Sequence, residues 1–172
     1  MDTFEAIYRR RSIRSYTAQN VPMEQITQII HAGMSAPSAG DEQPWHFVVI
    51  TDRSILDTIP KVHPYANMLK EAPSAVLICG DLELEKHEGY WVQDCSAATE
   101  NMLLAATALG LASVWLGVYP RQSRVEGLRK LLNLPDHVIP FALLPLGYGA
   151  EEKPAKSDFD HARIHSNTWT KM

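Results

Sequence analysis

Residues 102–120 carry no charge at all, and an uncharged run of that length must be hidden by protein or by lipid. Gly110 divides it into an Ala- and Leu-rich half and a Val- and Trp-rich half, while Thr107 and Ser113 interrupt it. The division predicts a buried helix followed by a buried strand and no membrane span. A hidden helix beside a hidden strand needs a sheet and further helices to cover both, so the fold has to be layered. The chain has 172 residues, of which 45% are hydrophobic and 21% charged. That is enough for one domain with a substantial core, and leaves no room for a separate cofactor module.

Two further apolar runs, residues 45–51 and 74–79, are rich in branched and aromatic residues and are expected to be central strands buried on both faces. Residues 111–118 and 138–147 complete the set. Pro140 and Pro145 cannot donate to a ladder, so the last strand is expected to be irregular or partly at an edge. Helices are expected over residues 3–10, with Phe4, Ile7 and Tyr8 on one face, and from Pro22 through Ile26, Ile29 and Gly33 to Met34, with Pro37 closing that segment. Residues 54–60, with Asp52 or Arg53 at the entry, and residues 65–72, 91–109 and 121–132 also read as helical. There is no repeat and no linker, which gives a single domain over residues 1–172. Its segment 148–172 turns polar yet ends in Ile164, His165, Trp169 and Met172, and such a tail is expected to dock on a second subunit.

The net charge of −4 argues against non-specific nucleic-acid binding, which needs a positive field. The N-terminus has no basic stretch followed by an apolar run, so a cytoplasmic protein is expected. Cys79 and Cys95 lie in separate segments and read as buried, reduced thiols. His161 and His165 have helical metal-pair spacing but no accompanying Glu, and are read as a surface pair with no metal site. Gly147-Tyr148-Gly149 lacks the third glycine of a dinucleotide fingerprint, no phosphate-cradling loop ends in Lys-Ser or Lys-Thr, and Ser96 has no nucleophile-elbow setting.

Against that acidic background stands the segment Arg9-Arg10-Arg11-Ser12-Ile13-Arg14. Guanidinium forks with a hydroxyl between them suit one or two phosphate groups, although cations at a helix end also offset its dipole. Residues 36–45 form a turn-rich loop whose small residues allow close backbone approach to a polar heterocycle, or simply connect helix to strand. Trp115-Leu116-Gly117-Val118-Tyr119 ends a strand on a glycine, where backbone N–H groups can meet a ligand or make an ordinary turn.

Taken in order, five blocks resemble the nitroreductase family of flavin-dependent oxidoreductases, in particular its short single-domain members. They are Arg10-Arg11-Ser12-Ile13-Arg14; Ala36-Pro37-Ser38 running to Gln43-Pro44-Trp45; Asp94-Cys95-Ser96-Ala97-Ala98; Gly110 through Val118; and Leu146-Gly147-Tyr148 with Glu152-Lys153-Pro154. The resemblance implies an α+β fold with a mixed, mostly antiparallel central sheet flanked by helices, and an intertwined homodimer holding FMN at the subunit interface. It implies that Arg10, Arg11, Ser12 and Arg14 hold the phosphate, ribityl chain and pyrimidine edge. Pro37, Ser38 and Ala39 would reach in from the partner subunit with Asp41 and Gln43 nearby, Leu116, Gly117 and Val118 would face the isoalloxazine, and Gly147 and Lys156 would close the phosphate end. Asp41 stands where the family commonly has Asn, and Asp158 where it often has Arg, and both departures are expected to weaken FMN binding.

The implied activity is NAD(P)H-dependent reduction of a small electron-poor acceptor, such as a nitroaromatic or quinone, by a ping-pong mechanism. The flavin carries the chemistry, no side chain acts as a nucleophile, and Arg14 stabilises the reduced flavin electrostatically. The competing reading is a flavin carrier or sensor without NAD(P)H turnover. Residues 60–70 or 82–90 are expected to cover the flavin. Neither nucleic acid nor membrane is an expected partner.

Overall fold

The computed structural model describes residues 1–156 and 158–169; Met172, expected at the end of the tail, lies outside them. The helices are α1 (Thr3–Arg9), α2 (Met23–Met34), α3 (Arg53–Thr58), α4 (Trp91–Ala108) and α5 (Gln122–Leu132). The strands are β1 (Trp45–Ile50), β2 (Ser74–Asp81), β3 (Ala112–Ser113), β4 (Leu116–Gly117) and β5 (Val138–Gly147). Their order across the sheet is β1, β2, β5, β3, with β4 also on β5, and every named pair is antiparallel. A parallel bridge from Ser12 to Ser113 makes the sheet mixed.

The sheet separates two apolar layers, and β2 feeds both because successive side chains point to opposite faces. Ala75, Leu77 and Cys79 join one layer, while Val76 and Ile78 join the other. The expectation of two-sided burial therefore holds for β2, which is buried throughout. It fails for β1, which is a sheet edge with a half-buried middle and an exposed His46. Continuous hydrophobicity marked β1 as apolar but could not report which side lacks a neighbour.

The prolines leave β5 irregular, as expected, but do not put it at an edge. That strand is central, and the register with β2 slips between Ile78 and Cys79, where Pro140 faces Cys79. Pro145 falls between the part of β5 paired with β3 and the part paired with β4. The expected 111–118 strand is thus two short strands with Val114 and Trp115 between them, and the missing N–H of Pro145 costs no ladder bond on that flank.

Helix α4 is the hidden helix expected from the uncharged run. Met102 and Ala106 are fully buried, and Gly110 at φ +75° ends the helix in a conformation that favours glycine. On α2, a Cβ at Gly33 would stand 2.8 Å from Met102 Cγ, so this glycine sets how closely α2 packs on α4. Among the described residues no helix is long and apolar enough to cross a membrane. Asp52 caps α3 by accepting the N–H groups of Ser54 at 2.8 Å and Ile55 at 3.3 Å. Pro22 is the N-cap of α2, and only a 3₁₀ turn, Asn67–Lys70, forms in the segment expected as a helix at 65–72.

Both cysteines are buried and free, and burial pushes the Cys79 thiol up to about 12. The face of α1 read as apolar is left uncovered by the described residues. Phe4, Ile7 and Tyr8 are all exposed, as are Phe159 and Trp169 in the tail.

Candidate functional site

The arginine segment is stitched between the sheet and the chain that leaves β5. Ile13 N–H donates to the Ser113 carbonyl at 3.1 Å, Thr17 N–H to the Tyr148 carbonyl at 2.9 Å, and Ala150 N–H to the Ser15 carbonyl at 2.9 Å. This pairing lays residues 10–14 alongside residues 151–156. Arg11 donates to the Pro154 carbonyl, Lys153 Nζ donates to the Ser12 carbonyl at 2.7 Å, and Lys156 N–H donates to the Tyr8 carbonyl at 2.9 Å.

The result is a cleft of about 340 Å³ lined by Arg10, Arg11, Ser12, Arg14, Lys153 and Lys156, with no carboxylate in its lining. Five like charges in one cleft repel one another unless an anion joins them. Two neighbouring acids steady the rim. Glu151 accepts the Arg14 N–H at 2.6 Å and lies 3.4 Å from Lys153, and these contacts hold its carboxyl below the usual range. Glu100 on α4 meets Arg10 at 3.5 Å; its burial raises its pKa, and the arginine opposes the rise. Lys153 stands in the sequence only as part of the Glu152-Lys153-Pro154 motif, and its side chain lines the cleft. Asp158 is outside the cleft lining, 3.8 Å from Lys156, where it competes for that ammonium.

The loop from Pro37 to Gln43 does not line this cleft. Within the loop, Gln43 donates its N–H to Ser38 Oγ at 3.0 Å and its side-chain amide to Asp41 Oδ1 at 2.8 Å. Asp41 thus accepts within the loop, and it does so at φ +52°, a backbone region that Asp and Asn tolerate better than most residues. Ala39 N–H donates to Asp94 Oδ1 of α4 at 3.0 Å.

Beneath the loop, Glu42 is buried and takes the N–H groups of Lys86 at 2.7 Å and His87 at 3.0 Å on one oxygen. Its other oxygen and Asp94 Oδ2 are both buried and have no hydrogen-bond partner among the described residues. Burial and the facing Glu42 raise the pKa of Asp94. Burial also acts upward on Glu42, but the two amides and Asp94 outweigh it and lower its pKa. The segment 82–90 is thereby tied to the loop 38–43. The sequence placed both segments but gave no sign of this acid pair, because Glu42 reads as a loop residue and Asp94 as a helix surface residue.

Strand β4 presents Gly117, where a Cβ would meet nothing within 4 Å. Its carbonyl takes two donors, Arg124 Nη1 at 2.7 Å and His63 Nε2 at 3.0 Å. Because a carbonyl only accepts, His63 carries its proton on Nε2, and its Nδ1 accepts the Tyr65 N–H at 3.3 Å. Burial lowers the pKa of His63. The flanking Leu116 and Val118 are buried, with Val118 N–H on the Phe141 carbonyl. Gly147 serves packing: a Cβ there would stand 2.8 Å from Tyr16 and 2.9 Å from Pro73, and the residue is not in the cleft lining.

The residues present fit a flat ligand bearing a phosphate. The cleft lining supplies cations and a hydroxyl and no acid, with Glu100, Glu151 and Asp158 each reaching one of its cations from outside the lining. A Cβ at Gly117 would meet nothing within 4 Å, which leaves room for a planar ring.

The model of the Nitroreductase family matches residues 7–63 and 60–148. A protein of Methanothermobacter thermautotrophicus, provisionally named NADH dehydrogenase/NAD(P)H nitroreductase, is 54% identical over 98% of this chain and 88% of its own length. A crystal structure of a Parabacteroides distasonis protein with the same provisional name superposes at TM-score 0.93, with 44% identity over 97% of this chain and 98% of that one. A Desulfovibrio desulfuricans nitroreductase-like protein solved in complex with FMN superposes at 0.83, with 31% identity over 99% of both chains. With this sheet, this ordered set of motifs and matches that span nearly the whole chain, the protein belongs to the nitroreductase family.

Proposed function

We propose that the protein is an FMN-dependent oxidoreductase that uses NAD(P)H to reduce a small electron-poor acceptor, of the nitroaromatic or quinone class. The observation that carries the proposal is the cleft lined by Arg10, Arg11, Ser12, Arg14, Lys153 and Lys156, in which five cations outnumber the acids that reach them from outside. When bound, FMN supplies the hydride and electron chemistry. The protein's own residues bind and orient. Arg10, Ser12 and Lys156 hold the phosphate end, and Arg14 places a fixed positive charge toward the pyrimidine edge. Arg124 and His63 both donate to the Gly117 carbonyl and so fix that peptide plane, which would hold the β4 backbone steady where the ring system would lie. Donor and acceptor occupy one place in turn, which is a ping-pong cycle, and no side chain is needed as a nucleophile.

The working unit is a homodimer. Arg10 reaches α4 at Glu100 and the 37–43 loop reaches it at Asp94. Six residues apart on a helix of about 3.6 residues per turn, these two positions face roughly 120° away from each other. The loop and the cleft of one chain therefore lie on different sides of α4, which supports the loop's serving the cleft of a second copy. The exposed Phe4, Ile7 and Tyr8 of α1, with Phe159 and Trp169, supply apolar surface for that copy to cover.

Anaerobic titration of the FMN-loaded protein tests the activity. NADH or NADPH should bleach the flavin, and a nitroaromatic or quinone should restore its colour. Yellow protein that neither nucleotide bleaches would leave a flavin carrier, and protein that takes up no FMN would overturn the proposal.

A further inference from the structure

At the end of the sheet away from the arginine segment, two histidines and two carboxylates converge from three adjacent strands. Asp81 is the last residue of β2 and is buried, with its backbone paired to Val138 at the start of β5. Just before that start is His137, whose carbonyl accepts the Leu82 N–H at 3.0 Å, so residues 81–83 wrap around it. Asp81 Oδ1 accepts the Glu83 N–H at 2.9 Å, which turns Glu83 back toward His137. Glu83 Oε1 and His137 Nδ1 lie 3.6 Å apart. On β1, His46 faces Cys79, two residues before Asp81, and so shares Asp81's face of the sheet; its Nε2 is 3.1 Å from Asp81 Oδ2.

We infer that Asp81, Glu83 and His137 form a binding site for a divalent transition-metal ion of the Zn²⁺ class, with His46 as fourth ligand or as the group that orients Asp81. Ligand atoms of the three residues all lie within 4.8 Å of one another. A metal holding nitrogen and oxygen donors at about 2.0–2.2 Å places neighbouring donors roughly 3 to 3.5 Å apart, so rotamer adjustment of the exposed Glu83 closes the site. Imidazole with carboxylate is a donor set that suits zinc, while calcium and magnesium take oxygen alone.

Charge points the same way. Among the described residues neither Asp81 nor Glu83 pairs with lysine or arginine, and both have histidine as their ionic partner. Neutral imidazole leaves two carboxylates uncompensated, and a divalent cation balances them. The site would pin residues 81–83 to the start of β5, while Glu42 already holds Lys86 and His87 of the same segment. Metal binding there braces the 82–90 segment from its sheet end. The inference does not depend on the cofactor or the reaction.

The test is a Zn²⁺ titration of the untagged, FMN-loaded protein in competition with a chromophoric chelator. One Zn²⁺ per chain is expected. His137→Ala and Glu83→Gln should each weaken binding by about tenfold to a hundredfold without changing the flavin spectrum, since both side chains are on the surface. His161→Ala with His165→Ala should leave binding intact. Failure to bind Zn²⁺ stoichiometrically, equal affinity in His137→Ala, or loss of binding in the His161/His165 double variant would each overturn the inference.

Discussion

Asp94 Oδ1 accepts the Ala39 N–H at 3.0 Å, a bond between residues 55 apart in sequence through which α4 holds the small-residue loop in place. Burial and the neighbouring Glu42 raise its pKa, and Glu42 in turn accepts the Lys86 and His87 N–H groups, so the loop, the helix and the 82–90 segment meet at this acid pair.

That arrangement predicts an asymmetry between two substitutions. Asp94→Asn keeps an acceptor for Ala39 and gives Glu42 an amide donor at every pH, so it should fold normally. Asp94→Ala strands a half-buried N–H and leaves the buried Glu42 carboxylate without its neighbour, and should cost about 1–3 kcal/mol in urea unfolding. The pH dependence follows from the direction of the shift. An acid whose pKa is raised in the folded state stabilises below its ordinary range and loses that contribution as pH rises through the raised value. Asp94→Asn should therefore gain on the wild type as pH rises above the ordinary carboxylate range.

His63 gives a slope of the opposite sign. Burial lowers its pKa, so the unfolded chain takes up a proton that the folded chain resists, and stability falls as pH drops below about 6.5. His63→Gln, which can still donate to Gly117, should show a shallower loss between pH 7.5 and pH 5.5. Parallel slopes would remove His63 from the account.

Two glycines separate ligand contact from packing. Gly117→Ala meets no neighbour and should change stability by less than about 0.5 kcal/mol while weakening FMN binding. Gly147→Ala drives a methyl group into Tyr16 and Pro73 and should cost about 1–3 kcal/mol, with FMN affinity altered only through the fold.

Asp158 competes for Lys156, so Asp158→Asn should tighten FMN binding. An exposed pair is worth roughly 1 kcal/mol or less, which limits the gain to about fivefold by fluorescence titration. Arg14→Ala should lower the flavin reduction potential and slow reduction by NAD(P)H, and an unchanged potential would remove Arg14 from its electrostatic role.

Much of this fold is legible in local sequence. The uncharged run with Gly110 at its middle locates α4 and the strands after it, and the arginines 10, 11 and 14 with Ser12 mark the cleft they line. What is not legible depends on neighbours. The edge position of β1 and the central position of β5 are set by pairing, and Pro145 is tolerated because β3 and β4 leave a gap opposite it. Phe4, Ile7 and Tyr8 have the spacing of a core face yet are exposed, because hydrophobic periodicity does not say whether the covering surface belongs to the same chain. Lys153, the Glu42–Asp94 pair and the His63–Gly117–Arg124 contact join distant segments and have no local signature.

FMN and riboflavin differ by the phosphate alone, so their relative affinity reports whether the basic cleft holds that group. Titration of the apoprotein by flavin fluorescence should show FMN binding at least about a hundredfold more tightly than riboflavin, as expected for two charge-assisted contacts. That preference should collapse in an Arg10→Ala, Lys156→Ala double variant. Equal affinity for the two flavins, or a preference that survives the double substitution, would contradict the account.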